Sequence, residues 1–89
     1  MGVEKYDKDN EIIDKLRLAL IWAREKQPVF AEGQYQALGY LGEEYGEVVK
    51  EITKGLPGWR ERMCDELIDF MCVAVRILRG EFDDKGGAL

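Results

Sequence analysis

Apolar residues recur along this chain at the three-to-four-residue spacing of helices that bury one side. Ile12, Ile13, Leu16, Ala19, Leu20 and Ala23 mark a first helix. Asp9 or Asn10 is placed to cap it, and Pro28 stops it near Lys26, because the residue before a proline resists the helical region. Leu38, Leu41, Tyr45, Val48 and Ile52 mark a second helix, from Gly33 or Gln34 to Lys54, with Gly55 placed to close it. Val29 and Phe30, in the connection between the two, suit packing across the bundle. After the turn Gly55-Leu56-Pro57-Gly58-Trp59, a third helix runs from about Arg60 to Arg79 and ends at Gly80. It is apolar over most of its circumference, from Met63 and Leu67 through Phe70 and Met71 to Ile77 and Leu78. Such a helix calls for cover on more than one side.

The expected fold is therefore all-α, three main helices forming a helical bundle over residues 1–80, with a polar C-terminal tail at 81–89. At 89 residues the chain is one domain near the small end of what folds alone, so a second subunit is the expected cover, as a homodimer or homotetramer. Gly39, Gly42 and Gly46 each weaken the second helix by up to about 1 kcal/mol relative to Ala. Close approach of a helix or ligand explains them, and so does simple tolerance in a well-packed helix.

Charge narrows the partners. Eighteen acidic against 13 basic residues give a net −5 with no polybasic run, which offers nucleic-acid phosphates no general attraction. No apolar run approaches the roughly 20 residues that span a bilayer, and the polar start of the chain is unlike a signal peptide. Cys64 and Cys72 lie about 12 Å apart along one helix, too far for a mutual disulfide, and read as small core residues in a reducing cytoplasm. With no histidine and no CxxC, a zinc site is not expected.

The acids are more informative. Glu44 with Glu47, and Glu66 with Asp69, are each three apart and so share a helix face. Taking about 100° per residue from Glu44, Glu47 lies about 60° to one side, while Val48, Leu41 and Ile52 lie about 40–80° to the other. On the third helix Phe70 and Ile77 lie within about 40° of Glu66, and Asp69 about 60° to the opposite side. Both acid pairs thus border the core stripe, where solvated charges are not normally placed. One ExxE pair alone is usually a solvated face; two pairs beside the core on successive helices point to a cation site. A carboxylate-only ligand set suits Mg²⁺ or Mn²⁺. Arg62 and Arg76 fall near the Asp69 edge, where they either pair with carboxylates or reach a bound phosphate.

The run Glu43-Glu44-Tyr45-Gly46-Glu47, eighteen residues, then Glu66-Leu67-Ile68-Asp69 resembles the EExxE…ExxD hallmark of the all-α nucleoside triphosphate pyrophosphohydrolases, the MazG-like superfamily. The likeness covers about Tyr35 to Leu78. It implies Mg²⁺-dependent cleavage of a nucleotide substrate between its α- and β-phosphates, giving a monophosphate and pyrophosphate. Carried over by position, Glu44, Glu47, Glu66 and Asp69 are the implied metal ligands. Glu43 and Glu47 are the implied catalytic acids, with Glu43 helping to position the attacking water. Where the family often has asparagine or lysine after ExxD, this chain has Arg76, which binds phosphate or makes a structural ion pair with Asp69 or Glu81; Arg62 is the second candidate for substrate binding. Trp59, Tyr40, Tyr35 and Trp22 stack on a base or pack in the core. A phosphoribosyl-ATP pyrophosphohydrolase is the alternative enzyme, and a non-catalytic helical interaction module the alternative of another class. Base, sugar and number of metal ions are not written in these motifs.

Overall fold

In the computed structural model, residues 2–82 are described, with side chains from Tyr6 onward. They form three helices, α1 (Gly2–Lys26), α2 (Gln34–Lys54) and α3 (Trp59–Leu78), and no strand. The fold is all-α. Among the described residues no helix is long and apolar enough to cross a membrane.

The second and third helices begin and end within a residue of where glycine and proline punctuate the sequence. Gly55 closes α2 in the left-handed region at φ 60°, its N–H donating to the Glu51 carbonyl at 3.4 Å. Gly58, also left-handed at φ 82°, turns the chain into α3. The expected start of α1 is corrected. Asp9 and Asn10 lie inside a helix that begins at Gly2. Nothing between positions 3 and 10 breaks a helix, so these two polar side chains are carried within it rather than capping it.

With only four residues between them, α2 and α3 pack antiparallel. Glu51 meets Arg62 near the turn, and the Tyr45 and Phe70 rings meet farther along at 6.4 Å. The other flank of α3 carries α1, which runs in the same direction: Ile12 borders Leu67 and Met71, and Ala23 borders Arg76. The backbones of α1 and α2 make no contact with one another. The three helices thus form a single layer with α3 in the middle.

The tightest core sits at one end of that layer, where Phe30, Ala31 and Ala37 are buried together against Tyr40, Val73, Ile77 and Phe82. Phe30 packs as expected, its ring 5.7 Å from that of Tyr40, whereas Val29 is exposed. Two further expectations change. Cys72 is buried but Cys64 is exposed, and both are free thiols. Glu81 and Phe82 are not part of a free polar tail: Gly80, at φ 69°, turns the chain back so that Glu81 pairs with two arginines and Phe82 joins the core. Residues 83–89 of the expected tail lie outside the described residues. The glycines Gly39, Gly42 and Gly46 meet no neighbour; a Cβ at each would find nothing within 4 Å. Close approach within the chain is therefore not their reason.

Candidate metal centre

Antiparallel pairing of α2 with α3 brings the two acid motifs level with each other. One carboxylate oxygen each from Glu44, Glu66 and Asp69 lies within 4.8 Å of the others. Glu44 and Glu66 are half-buried, and Asp69 is the exposed member. Burial raises the Glu44 carboxyl above its ordinary value, and the charges of Asp69, Glu66, Glu47 and Glu43 push it the same way. Glu66 is raised by burial first and then by Asp69 and Glu47. Asp69 is raised by burial and by Asp65. These groups therefore favour neutralisation, by a proton or by a cation.

Glu47 is not in the convergent group. It is half-buried on the same helix, one turn from Glu44, with its carboxylate accepting from Lys50 Nζ at 3.4 Å. Its charge still acts on both Glu44 and Glu66. Glu43 is exposed, and its charge acts on Glu44.

A cleft of about 150 Å³ opens beside the acids, lined by Glu44 and Asp69 on one wall and by Ala19, Ala23, Phe30 and Val73 on the others, with Cys72 and Arg76 at its edge. Burial raises the Cys72 thiol. Its sulfur is not among the atoms that converge with Glu44, Glu66 and Asp69. The donor set that remains is oxygen only, which fits a hard divalent cation. The contribution of α1 to this cleft, through Ala19 and Ala23, was not foreseen; the apolar period of α1 shows that it packs but not against what.

Both arginines are engaged in internal bonds. Arg62 donates from Nε to Glu51 at 2.9 Å and from Nη1 to the Pro57 carbonyl at 2.9 Å. That bond holds the Glu51 carboxyl below its ordinary range. Arg76 is 3 % exposed and lies over the Phe30 ring. It donates to the Gln27 carbonyl and to Glu81, each at 2.9 Å. Of the two readings of Arg76, the ion pair with Glu81 is the one observed. Glu81 also accepts from Arg24 at 2.6 Å, and these bonds, Arg24 foremost, depress its carboxyl. Of the aromatic candidates, Trp22 and Tyr35 are exposed, Tyr40 packs on Phe30, and Trp59 starts α3 beneath the Arg60 guanidinium.

Compared with family models, with curated proteins and with solved structures, the chain finds no match.

Proposed function

We propose that this protein is a Mg²⁺-dependent nucleoside triphosphate pyrophosphohydrolase that cleaves between the α- and β-phosphates. The observation that carries this reading is the convergence of Glu44, Glu66 and Asp69 beside a cleft, from the residues of the EExxE…ExxD resemblance. These three would hold the ion, with Mn²⁺ as a substitute. A divalent cation bound there would supply the positive charge that admits a polyphosphate to an acidic site, and would acidify a water for attack. Glu47, close to the cluster yet outside it, is free to accept a proton from that water at its carboxylate oxygens once Lys50 swings away. Glu43, on the exposed side, orients the water. Arg62 and Arg76 serve this reading as scaffold: their guanidinium groups already hold protein partners. The fuller reading is a cytoplasmic homo-oligomer, in keeping with the two free thiols and the single-layer fold.

The test is incubation of the protein with a panel of nucleoside triphosphates and Mg²⁺, followed by detection of pyrophosphate. Release from at least one nucleotide, abolished by EDTA, is expected. No turnover of any nucleotide, together with melting unchanged by Mg²⁺, sinks the proposal and favours an interaction module.

A further inference from the structure

Between α1 and α3 a groove runs past Asp69 in both directions. Toward the C-terminal end of α1 it is the cleft lined by Ala23, Phe30 and Val73. Toward the N-terminal end it opens into a second cavity of about 280 Å³, between Lys15, Leu18 and Trp22 of α1 and Ile68 of α3. Ala19 and Asp69 line both, so the two cavities meet at the acids. Past Lys15 the groove continues into a space of about 440 Å³ that Arg60 borders.

The register of α1 builds this wall. Counting about 100° per residue from Ala19, Lys15 and Trp22 fall about 40° and 60° to one side, and Ala23 about 40° to the other. Trp22 is 63 % exposed. Among the described residues its indole makes no ring contact or hydrogen bond, and the Lys15 ammonium holds no carboxylate. The other aromatic candidates are placed differently. Tyr40 packs on Phe30, Trp59 lies beneath Arg60, and Tyr35 stands about 13 Å along α2 from Glu44. Arg62 and Arg76 are bonded internally. Trp22 and Lys15 thus offer an open ring and an open cation on one wall, with Asp69 facing them.

Their order along α1 suits one kind of ligand. Seven residues separate them, about 10 Å along the axis, and Ala19 lies in between. A nucleoside triphosphate likewise has a flat base at one end, anionic phosphates at the other and the α–β bridge between them. We infer that the nucleotide lies along this groove with its base stacked on Trp22, its α–β bridge at the acid cluster and its terminal phosphates at Lys15. The inference rests on the pyrophosphohydrolase reading for the bond that is cleaved. Stacking needs only an open ring, since every base has a π-face. Reversed, the ligand would set its phosphates against Leu18 and the Trp22 ring, at the end of this cavity without a cation. The Asp65 carboxylate borders the same cavity and repels a phosphate; the Lys15 ammonium is the charge that offsets it.

Fluorescence of the full chain tests this pose without turnover. In a Trp59→Phe background, Trp22 emission is expected to be quenched saturably by at least one nucleoside triphosphate of the panel, added with Ca²⁺, and not by inorganic tripolyphosphate. Lys15→Met, which keeps the apolar stem, is expected to weaken the quenching midpoint several-fold for the triphosphate and to leave that of the matching monophosphate unchanged. In turnover, Trp22→Ala is expected to raise KM about 10-fold with kcat little changed, and Trp22→Phe to restore most of the loss. Turnover without quenching, or a KM unmoved by Trp22→Ala, overturns the pose and leaves the pyrophosphohydrolase reading standing. Equal weakening of monophosphate and triphosphate by Lys15→Met also overturns it. Quenching without turnover upholds the pose and removes the reaction. Neither quenching nor turnover overturns both.

Discussion

Asp69→Asn separates the two roles of the acid cluster, because one substitution should move stability in opposite directions with and without a divalent cation. The oxygens of Asp69 lie within 4.8 Å of those of Glu44 and Glu66. Two like unit charges at that distance repel by about 1 kcal/mol in bulk water and by about 3.5 kcal/mol at an effective dielectric of 20. The cluster is half-exposed, with Asp69 its most exposed member, so solvent screening places the cost toward the lower figure. Removing one charge from two such pairs should stabilise the metal-free protein by about 1–2 kcal/mol, roughly 5–15 °C in Tm for a domain of this size. Asparagine is nearly isosteric, so packing changes little.

In Mg²⁺ the order should invert. The wild type gains about 2.7 kcal/mol at a hundredfold excess over its dissociation constant, and the variant, short of one anionic ligand, gains far less. The assay is urea unfolding followed by circular dichroism at one fixed protein concentration, in EDTA and in saturating Mg²⁺. Two results would refute the reasoning: a variant less stable than wild type in EDTA, or equal Mg²⁺ stabilisation of both proteins. The first would mean that the carboxylates do not repel in the folded state. The second would mean that Asp69 holds no cation.

Stability against pH should carry the same signature. Glu44, Glu66 and Asp69 have raised folded-state values, so their contribution is full below the ordinary carboxylate range and is lost as pH rises through those values. Glu51 and Glu81, held low, contribute above the ordinary value of about 4.3 and lose their contribution as pH falls through theirs. Metal-free protein should therefore melt highest at mildly acidic pH, with an optimum that moves toward neutral when Mg²⁺ is added; scanning calorimetry across pH checks this. Glu47→Gln should lower turnover by about 10²-fold or more with helicity unchanged and much of the Mg²⁺ stabilisation kept, as expected of a proton acceptor outside the ligand set. Arg76→Met should cost about 2–4 kcal/mol in urea unfolding, since it removes a buried guanidinium bonded to Gln27 and Glu81; a loss under about 1 kcal/mol would show that the network is not structural. In the same assay Gly39→Ala should gain about 0.5–1 kcal/mol, there being open space at its Cβ, while Gly55→Ala should lose about 1–2 kcal/mol to the left-handed backbone it requires.

What could be read beforehand follows from whether the signal is local. The ends of α2 and α3 are written in Gly55, Pro57, Gly58 and Gly80, residues whose backbone preferences act within one turn. The start of α1 is not, because a capping residue acts only where the chain also stops being helical upstream. The acid motifs fixed which side of each helix carries charge, and antiparallel packing did the rest for Glu44, Glu66 and Asp69. Glu47 was harder to place: it lies about 60° around α2 from Glu44, enough to turn its carboxylate to Lys50. The partners of Arg62 and Arg76 depend on where distant carbonyls and the returning chain at Glu81 come to lie, and no periodicity encodes that.

The placement of those arginines explains how a layer with so little core holds mutually repelling carboxylates in register. The cluster lies midway along the α2–α3 pair, and on its own it drives the two helices apart. Near the turn, Arg62 ties Glu51 of α2 to the carbonyls of Leu56 and Pro57. At the far end, Arg76 and Arg24 share Glu81, and Arg76 reaches the last turn of α1 and the residue after it through the Ala23 and Gln27 carbonyls. Of these two clamps, the first joins α2 to α3 directly; the second fastens α3 to α1, and at that end α2 is held by Ala37 and Tyr40 packed with Phe30, Val73 and Ile77. The better buried of the two, with Arg76 3 % exposed, secures the end where the Phe30 core also sits. A substitution in either clamp would let the helices slide or splay and would weaken cation binding without touching a ligand. Such a loss would resemble loss of a phosphate contact. The distinction is that a clamp variant loses Mg²⁺ affinity in the absence of any nucleotide, whereas loss of a phosphate contact leaves that affinity intact.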